Sequence, residues 1–206
     1  MEIIEKMDNA VKVKDGDKEY WTLADILPNS DKPLEVLIIG KVPAPISVKA
    51  GHYYQGNQGQ FFWKKLREYG LLNIGKHIYE DNALLENDWG ITDVAKEPNE
   101  FSDEPTAEEY CEGLQRIKSL IDNHKPRIIL FVYKKVLDRL VGRKSVYGFN
   151  PGLDGEFGAS KVFVFPMKGT PCKKELQLKA MDELKKEVEL IRNNKFVTVS
   201  YTHLTL

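Results

Sequence analysis

"LEVLIIGKVPAPISVKAGHYYQGNQGQFFWKKLREYG", residues 34–70, decides how this chain is read. Residues 34–39 form a continuous apolar run, the pattern of a strand buried on both faces, and Gly40 ends it. The turn Gly40-Lys41-Val42-Pro43-Ala44-Pro45 has an ordinary reading, an exit from a buried strand with prolines fixing φ. Its functional reading is a rigid wall whose amides face a flat ring. Beyond it, Gly51-His52-Tyr53-Tyr54 presents Tyr54 as a platform for a base, a stacking contact worth roughly 1–3 kcal/mol. His52 offers a hydrogen bond or a structural contact. Phe61, Phe62, Leu66 and Tyr69 then fall at helical spacing, with Gly70 as a C′ stop, and Phe62 and Trp63 read as core. No Asp, Glu, Asn or Ser follows the strand where a catalytic group would sit; Val42 and Ala44 stand there.

Working outward, residues 1–33 read as a polar extension with one amphipathic piece, residues 20–27, closed by Pro28. Residues 108–123 form a strong helix, with Tyr110, Leu114, Ile117 and Ile121 on one face. Thr106 is its N-cap and Glu109 completes a capping box. Residues 127–132 and 161–165 are two more buried strands, and 134–141 a short helix stopped by Gly142. Residues 173–192 form a long helix, with Leu176, Met181, Leu184, Val188 and Ile191 as its stripe, ending at Asn193 and Asn194. Residues 195–206 read as a tail, its last part (199–206) poorly ordered or non-native, so that the folded domain spans residues 34–194. Strands alternating with helices indicate an α/β protein with a mostly parallel central sheet. Ligands of such sheets bind beyond the carboxyl ends of the strands. Residues 41–57, the segment from Tyr133 and residues 166–172 are therefore expected around one cleft, with residues 89–100 as its fourth wall.

The 206 residues suffice for a sizeable core. Lys plus Arg, 30, balances Asp plus Glu, 31, so net charge selects no partner, although a local basic face is compatible with it. The two cysteines lack metal-type spacing and fit a reducing, cytoplasmic setting. They cannot supply the four thiolates of an iron–sulfur cluster. The charged N-terminus does not read as a signal peptide, and no apolar run approaches a membrane span.

The pattern from Leu37 to Tyr69 resembles the uracil-DNA glycosylase superfamily, most closely its mismatch-specific branch of thymine and uracil mismatch DNA glycosylases. That branch has G-I-N-P-G after the first strand, then G-H/F-x-F/Y, then N-x-F-W-K and a helix ending in glycine. This chain has G-K-V-P-A, G-H-Y-Y at the same offset, and F-W-K-K-L leading to Gly70, with Asn57 or Gln60 standing for the Asn. "WGITDVAKEPNEFSDEPTAEEYCEGLQRIKSLIDNHKPRIILFVYKKVLDRL" (89–140), "VYGFNPG" (146–152) and "KVFVFPMKGTPCKKELQ" (161–177) match later segments in the same order. The resemblance covers about residues 34–193.

It implies a three-layer α/β/α sandwich with a short, mostly parallel sheet. It also implies a monomeric DNA glycosylase that flips uracil or a related deaminated base and hydrolyses its N-glycosidic bond without metal or cofactor. Two motifs depart from the branch. Val42 replaces the polar residue that positions the attacking water, as in a G-x-A-P-A branch of the superfamily, and Pro166-Met167-Lys168 lacks the His or Asn that would bond the departing base. Asp93, in Gly90-Ile91-Thr92-Asp93, is the candidate replacement, on a loop facing the pocket, with His52 beside it as a second catalytic candidate. Gly40, Lys41, Val42, Pro43, Ala44, Tyr54 and Thr92 are expected to line the base site. Pro166, Met167 as an apolar wedge, Lys168 and Thr170 are expected against the DNA backbone. The altered motifs also admit a non-catalytic nucleic-acid or nucleotide-binding member. The direction of Asp93 separates the two: into the pocket for an enzyme, outward to Lys96 for a binder.

Overall fold

The computed structural model describes residues 1–29, 32–99 and 103–202, with side chains through Asn194. The run expected as a first buried strand is β4 (Val36–Gly40), at the centre of a five-stranded sheet; β1 (Glu2–Met7), β2 (Ala10–Asp15) and β3 (Lys18–Leu23) precede it. β4 leads through α1 (Pro45–Ala50) and α2 (Asn57–Glu68) to β5 (Trp89–Asp93). The chain continues with α3 (Ala107–His124), β6 (Ile128–Phe131), α4 (Lys134–Val141), β7 (Gly148–Phe149), β8 (Lys161–Val164) and α5 (Lys174–Thr202). The sheet order is β5-β4-β6-β8-β7; β5, β4, β6 and β8 run parallel and β7 antiparallel.

Because side chains alternate across a strand, β4 serves two cores. Val36 and Ile38 pack with Phe62, Trp63 and Leu66 of α2 and Met181, Leu184 and Val188 of α5. Leu37 and Ile39 pack with Tyr110, Ile117 and Ile121 of α3 and Val136 and Leu137 of α4. The result is a mixed α/β architecture, a central sheet flanked by helices, as the alternation of elements implied. Thr106 caps α3 as expected: its Oγ1 accepts from Glu109 N at 3.2 Å while Thr106 N donates to Glu109 Oε2 at 2.7 Å. Gly70, at φ 67°, closes α2 in the left-handed conformation a helix stop requires.

Four expectations are corrected. The N-terminal extension is a three-stranded antiparallel sheet, not one amphipathic piece. Val11 and Val13 alternate inward there, and Gly16 (φ 60°) turns the second hairpin. Residues 89–93 form a strand rather than a loop, because β5 pairs with β4 on one side and with Ile26 on the other. The prolines of residues 43–45 lead into α1, with Pro45 in its first turn, where a missing N–H leaves no bond unmade. The last helix runs past Asn193 and Asn194 to Thr202; asparagine lowers helix propensity only modestly. Leu176 of its expected stripe is exposed, and residues 203–206 lie outside the described residues. No helix among the described residues is long and apolar enough to cross a membrane.

Thr106→Ala removes one of the two reciprocal bonds of the capping box. It should lower stability by about 1 kcal/mol without changing the slope of a urea unfolding curve, read by circular dichroism.

Candidate functional site

A cavity of about 390 Å³ opens beyond the carboxyl ends of β4 and β5. Its walls are Lys41, Val42, Pro43 and Ala44 from the turn after β4, Tyr53, Tyr54 and Gly59 from the next loop and helix, Leu23 from β3, Asp93 from the end of β5 and Tyr133 from the end of β6. Parallel pairing sets Gly40 directly beside Asp93. A side chain on residue 40 would collide with both the Asp93 carboxyl and the Tyr54 hydroxyl. Glycine at that position is therefore what admits both polar groups to one end of the cavity.

Asp93 is 1% exposed, and neither carboxylate oxygen has a hydrogen-bond partner among the described residues. Lys96 does not pair with it; Lys96 Nζ instead reaches Asp25 Oδ1 at 2.9 Å. The carboxylate thus faces the cavity rather than Lys96. Burial pushes its pKa up to about 7; Lys96 pulls it down, Asp25 pushes it up, and Arg116 pulls it down. The Tyr54 hydroxyl is likewise buried without a partner. Burial, followed by the Asp93 charge, raises its pKa well above the ordinary tyrosine value.

The Tyr54 ring is fixed by its surroundings. Its backbone is left-handed at φ 58°, a conformation that costs a non-glycine residue on the order of 1–3 kcal/mol and needs support. Gly59 supplies room, since a Cβ there would strike the Tyr54 backbone. Phe62 meets the Tyr54 ring edge-on, with centroids 5.3 Å apart, and Trp63 Nε1 donates to Tyr53 O at 3.0 Å. Asp81, which the sequence reading did not single out, anchors the same loop. Its Oδ2 accepts from Tyr53 N at 2.8 Å and from Asn9 Nδ2 at 3.1 Å.

The remaining expected site residues divide. His52 lies behind the cavity, not in its wall: its Nδ1 is 3.0 Å from Asp81 Oδ1, and its ring stacks on Tyr79 at 3.6 Å. It holds the loop and does not line the cavity. Thr92 also faces away, since neighbouring strand residues point to opposite faces; its Oγ1 donates to Asp25 Oδ1 at 2.6 Å. Lys41 lines the cavity, but its ammonium is engaged by Asp103 O at 2.7 Å and Glu104 Oε1 at 3.6 Å.

The segment after β8 does not join this cleft. Met167 is 2% exposed in the core beside α5, so it is no surface wedge. Pro166 and Lys168 line a separate groove against Phe61, Lys64, Lys65 and Met181. Thr170 donates its hydroxyl to Met167 O at 2.7 Å. Of the fourth wall, Asp93 and Asn99 line the cavity, and Glu100 lies outside the described residues. Tyr133 is half-buried in the wall, its pKa raised by burial and then by Asp93. Strand-end position was the one sequence signal available for it. Among the described residues no group of three or more His, Cys, Asp or Glu is placed to hold a metal ion.

The sequence profile of the Uracil DNA glycosylase superfamily matches residues 28–169, well over half of the chain, and the chain belongs to that superfamily.

The folded-state pKa of Asp93, about 7, stands above its ordinary 3.8. Its neutral form therefore favours the fold, an advantage complete below the unfolded value and lost as pH rises through about 7. A gap of this size corresponds to roughly 4 kcal/mol. Asp93→Asn should accordingly melt well above the wild type at pH 8 and close to it at pH 4, a comparison thermal unfolding at the two pH values makes directly.

Proposed function

We propose that this member of the superfamily is a DNA glycosylase, of the mismatch-specific kind, that takes uracil or a related deaminated base into the Asp93 cavity and hydrolyses its N-glycosidic bond. The observation that carries the reading is the buried Asp93 carboxylate, free of hydrogen-bond partners among the described residues, at the sheet end where an α/β protein binds its ligand. A carboxylate in that position takes a proton from water as the water oxygen bonds to C1′. The C1′–N bond breaks in the same displacement, and its electron pair leaves with the base. Titrating near neutrality, Asp93 is matched to this work, and its ionised form stabilises the cationic sugar of the transition state. Such a hydrolysis calls for no metal or cofactor.

The other residues serve binding. Extruding a base costs a few kcal/mol of lost stacking, which a flat pocket offsets. Val42, Pro43 and Ala44 form its apolar and backbone wall, and Tyr54 contributes both ring and hydroxyl. Gly40 keeps the space between them and Asp93. His52 and Thr92 act as positioning residues, the first through the Tyr53–Tyr54 loop and the second beneath β5. Lys168, exposed on the groove beyond the cavity, contacts a phosphate of the DNA, with Pro166, Met167 and Thr170 shaping its loop. The protein works as a monomer on a three-layer α/β/α sandwich of the glycosylase type.

One observation favours a second reading, a member that binds DNA or a nucleotide without cleaving it. The loop after β8 brings no polar side chain to the cavity, and Val42 cannot hold a water.

Base release from uracil-containing DNA, with uracil opposite G and in single strands, decides between them. The wild type should release uracil and Asp93→Ala should be slower by about 10²–10⁴-fold, the usual worth of a general base. Release that survives in Asp93→Ala would remove Asp93 from the mechanism. Binding without release would establish the second reading. The base must be ionised to act, so the wild-type rate should fall as pH drops below about 7. Tyr54→Phe keeps the ring and loses the hydroxyl. It should retain binding and slow release by about tenfold, the worth of one hydrogen bond.

A further inference from the structure

Two cations stand next to the cavity carboxylate without pairing with it. Arg116, from α3, donates through Nη2 to the main-chain oxygen of Asp93 and through Nη1 to Thr92 Oγ1 at 2.8 Å. Lys96 follows Asp93 by three residues, with its side chain 9% exposed. A buried carboxylate with such neighbours ordinarily takes one as its counter-ion. Here both are held by Asp25. Its Oδ1 receives Lys96 Nζ at 2.9 Å and Thr92 Oγ1 at 2.6 Å, and its Oδ2 receives Arg116 Nη1 at 2.8 Å. Burial pushes the Asp25 carboxyl up, but Lys96 and Arg116 outweigh it and hold it below its ordinary value, so Asp25 is anionic at neutral pH.

Asp25 belongs to the extension that precedes the central sheet, and that segment is fastened to β5. Ile26 N donates to Ile91 O at 3.1 Å and Ile91 N to Ile26 O at 3.0 Å. Tyr53 Oη, from the loop that carries Tyr54, donates to Ala24 O at 3.0 Å. Thr22 Oγ1 donates to Lys96 O, and Leu23 lines the cavity itself.

We propose that Asp25 is a positioning residue of the site: it captures Lys96 and Arg116 behind β5 and so leaves Asp93 in the cavity without a counter-ion. The N-terminal extension is then a working part of the site. Its catalytic meaning rests on the reading of Asp93 given above, but the charge arrangement does not. Among the described residues, the charged and titratable groups around Asp93 are Asp25 from the extension, Lys41 after β4, Tyr53 and Tyr54 from the following loop, Lys96 after β5, Arg116 from α3 and Tyr133 after β6. Only Asp25 among them is an anion able to hold both cations. With its charge removed, Lys96 and Arg116 are free to turn to Asp93, which then ionises more readily and is a weaker base.

The test is a carbon-13 NMR titration of the aspartate carboxyls in the DNA-free protein, with the Asp93 signal assigned through Asp93→Asn. In the wild type the midpoint should lie near 7. In Asp25→Asn it should fall by about one pH unit or more, through loss of the Asp25 charge together with the turn of a freed cation toward Asp93. In Asp25→Asn/Lys96→Met it should climb part of the way back. If Asp25→Asn does not fold, Asp25→Ser, which keeps a hydrogen-bonding group against Thr92, gives the same readout. A wild-type midpoint at the ordinary value near 4 overturns the proposal at once, and so does an unmoved midpoint in a folded Asp25 variant. Because no DNA is present, an Asp25-dependent midpoint in a protein that releases no base would sustain this inference while refuting the glycosylase reading.

Discussion

A carboxylate enclosed by protein and left without a hydrogen bond is costly to keep ionised, and the structure around Asp93 is organised about that constraint. The walls of the cavity and the end of β5 bury it. Glycine at position 40 makes room for it beside the Tyr54 hydroxyl. Asp25 holds the nearest cations on the far side of the strand. Each arrangement favours the neutral acid and so raises the Asp93 pKa to about 7; under the proposed reading the ionised fraction present near neutral pH is the form that takes a proton. That shift weakens the fold in the same pH range, a common exchange of stability for function.

The two halves of the loop after β4 divide the labour. Residues 42–45 form an apolar and main-chain surface, while the Lys41 ammonium beside them is engaged by Asp103 O and Glu104. Residues 51–54 are held rigidly: Asp81 takes the Tyr53 amide, Trp63 the Tyr53 carbonyl, and His52 stacks on Tyr79. Rigidity here has a physical purpose, because Tyr54 sits in a left-handed backbone conformation that would relax if the supports were loosened. Under the proposed reading the wall gives shape and the pinned tyrosine gives direction, which is how a pocket without many polar groups orients a flat base.

Much of this was legible in the sequence where the signal is local. The apolar runs of β4, β6 and β8, the capping box of α3 and the Gly142 stop of α4 depend on neighbouring residues, and they stand where expected. Asp93 was singled out through the family resemblance, on a stretch read as a loop, and the structure places it at the end of β5 in the cavity wall. What escaped depends on distant partners. β5 carries Gly90 and Asp93, poor strand formers, and is a strand because β4 and Ile26 pair with it. The N-terminal sheet is thick with lysines and glutamates, and its alternation rests on Val11 and Val13 alone in β2. The loop after β8 turned elsewhere because Met167, read as an exposed wedge, finds the core. His52 was named a catalytic candidate through the family resemblance, yet the acid that claims it, Asp81, lies 29 residues away along the chain.

The central claim is that the Asp93 cavity is where a flipped base reacts. It is met most directly by a crystal structure of the protein with duplex DNA carrying a 2′-fluoro-deoxyuridine opposite G, whose glycosidic bond resists cleavage. The account predicts the uracil inside the cavity against Tyr54, with C1′ one water molecule away from the Asp93 carboxylate. A complex in which the base stays stacked in the duplex, or enters a different site with Asp93 remote from C1′, would contradict it.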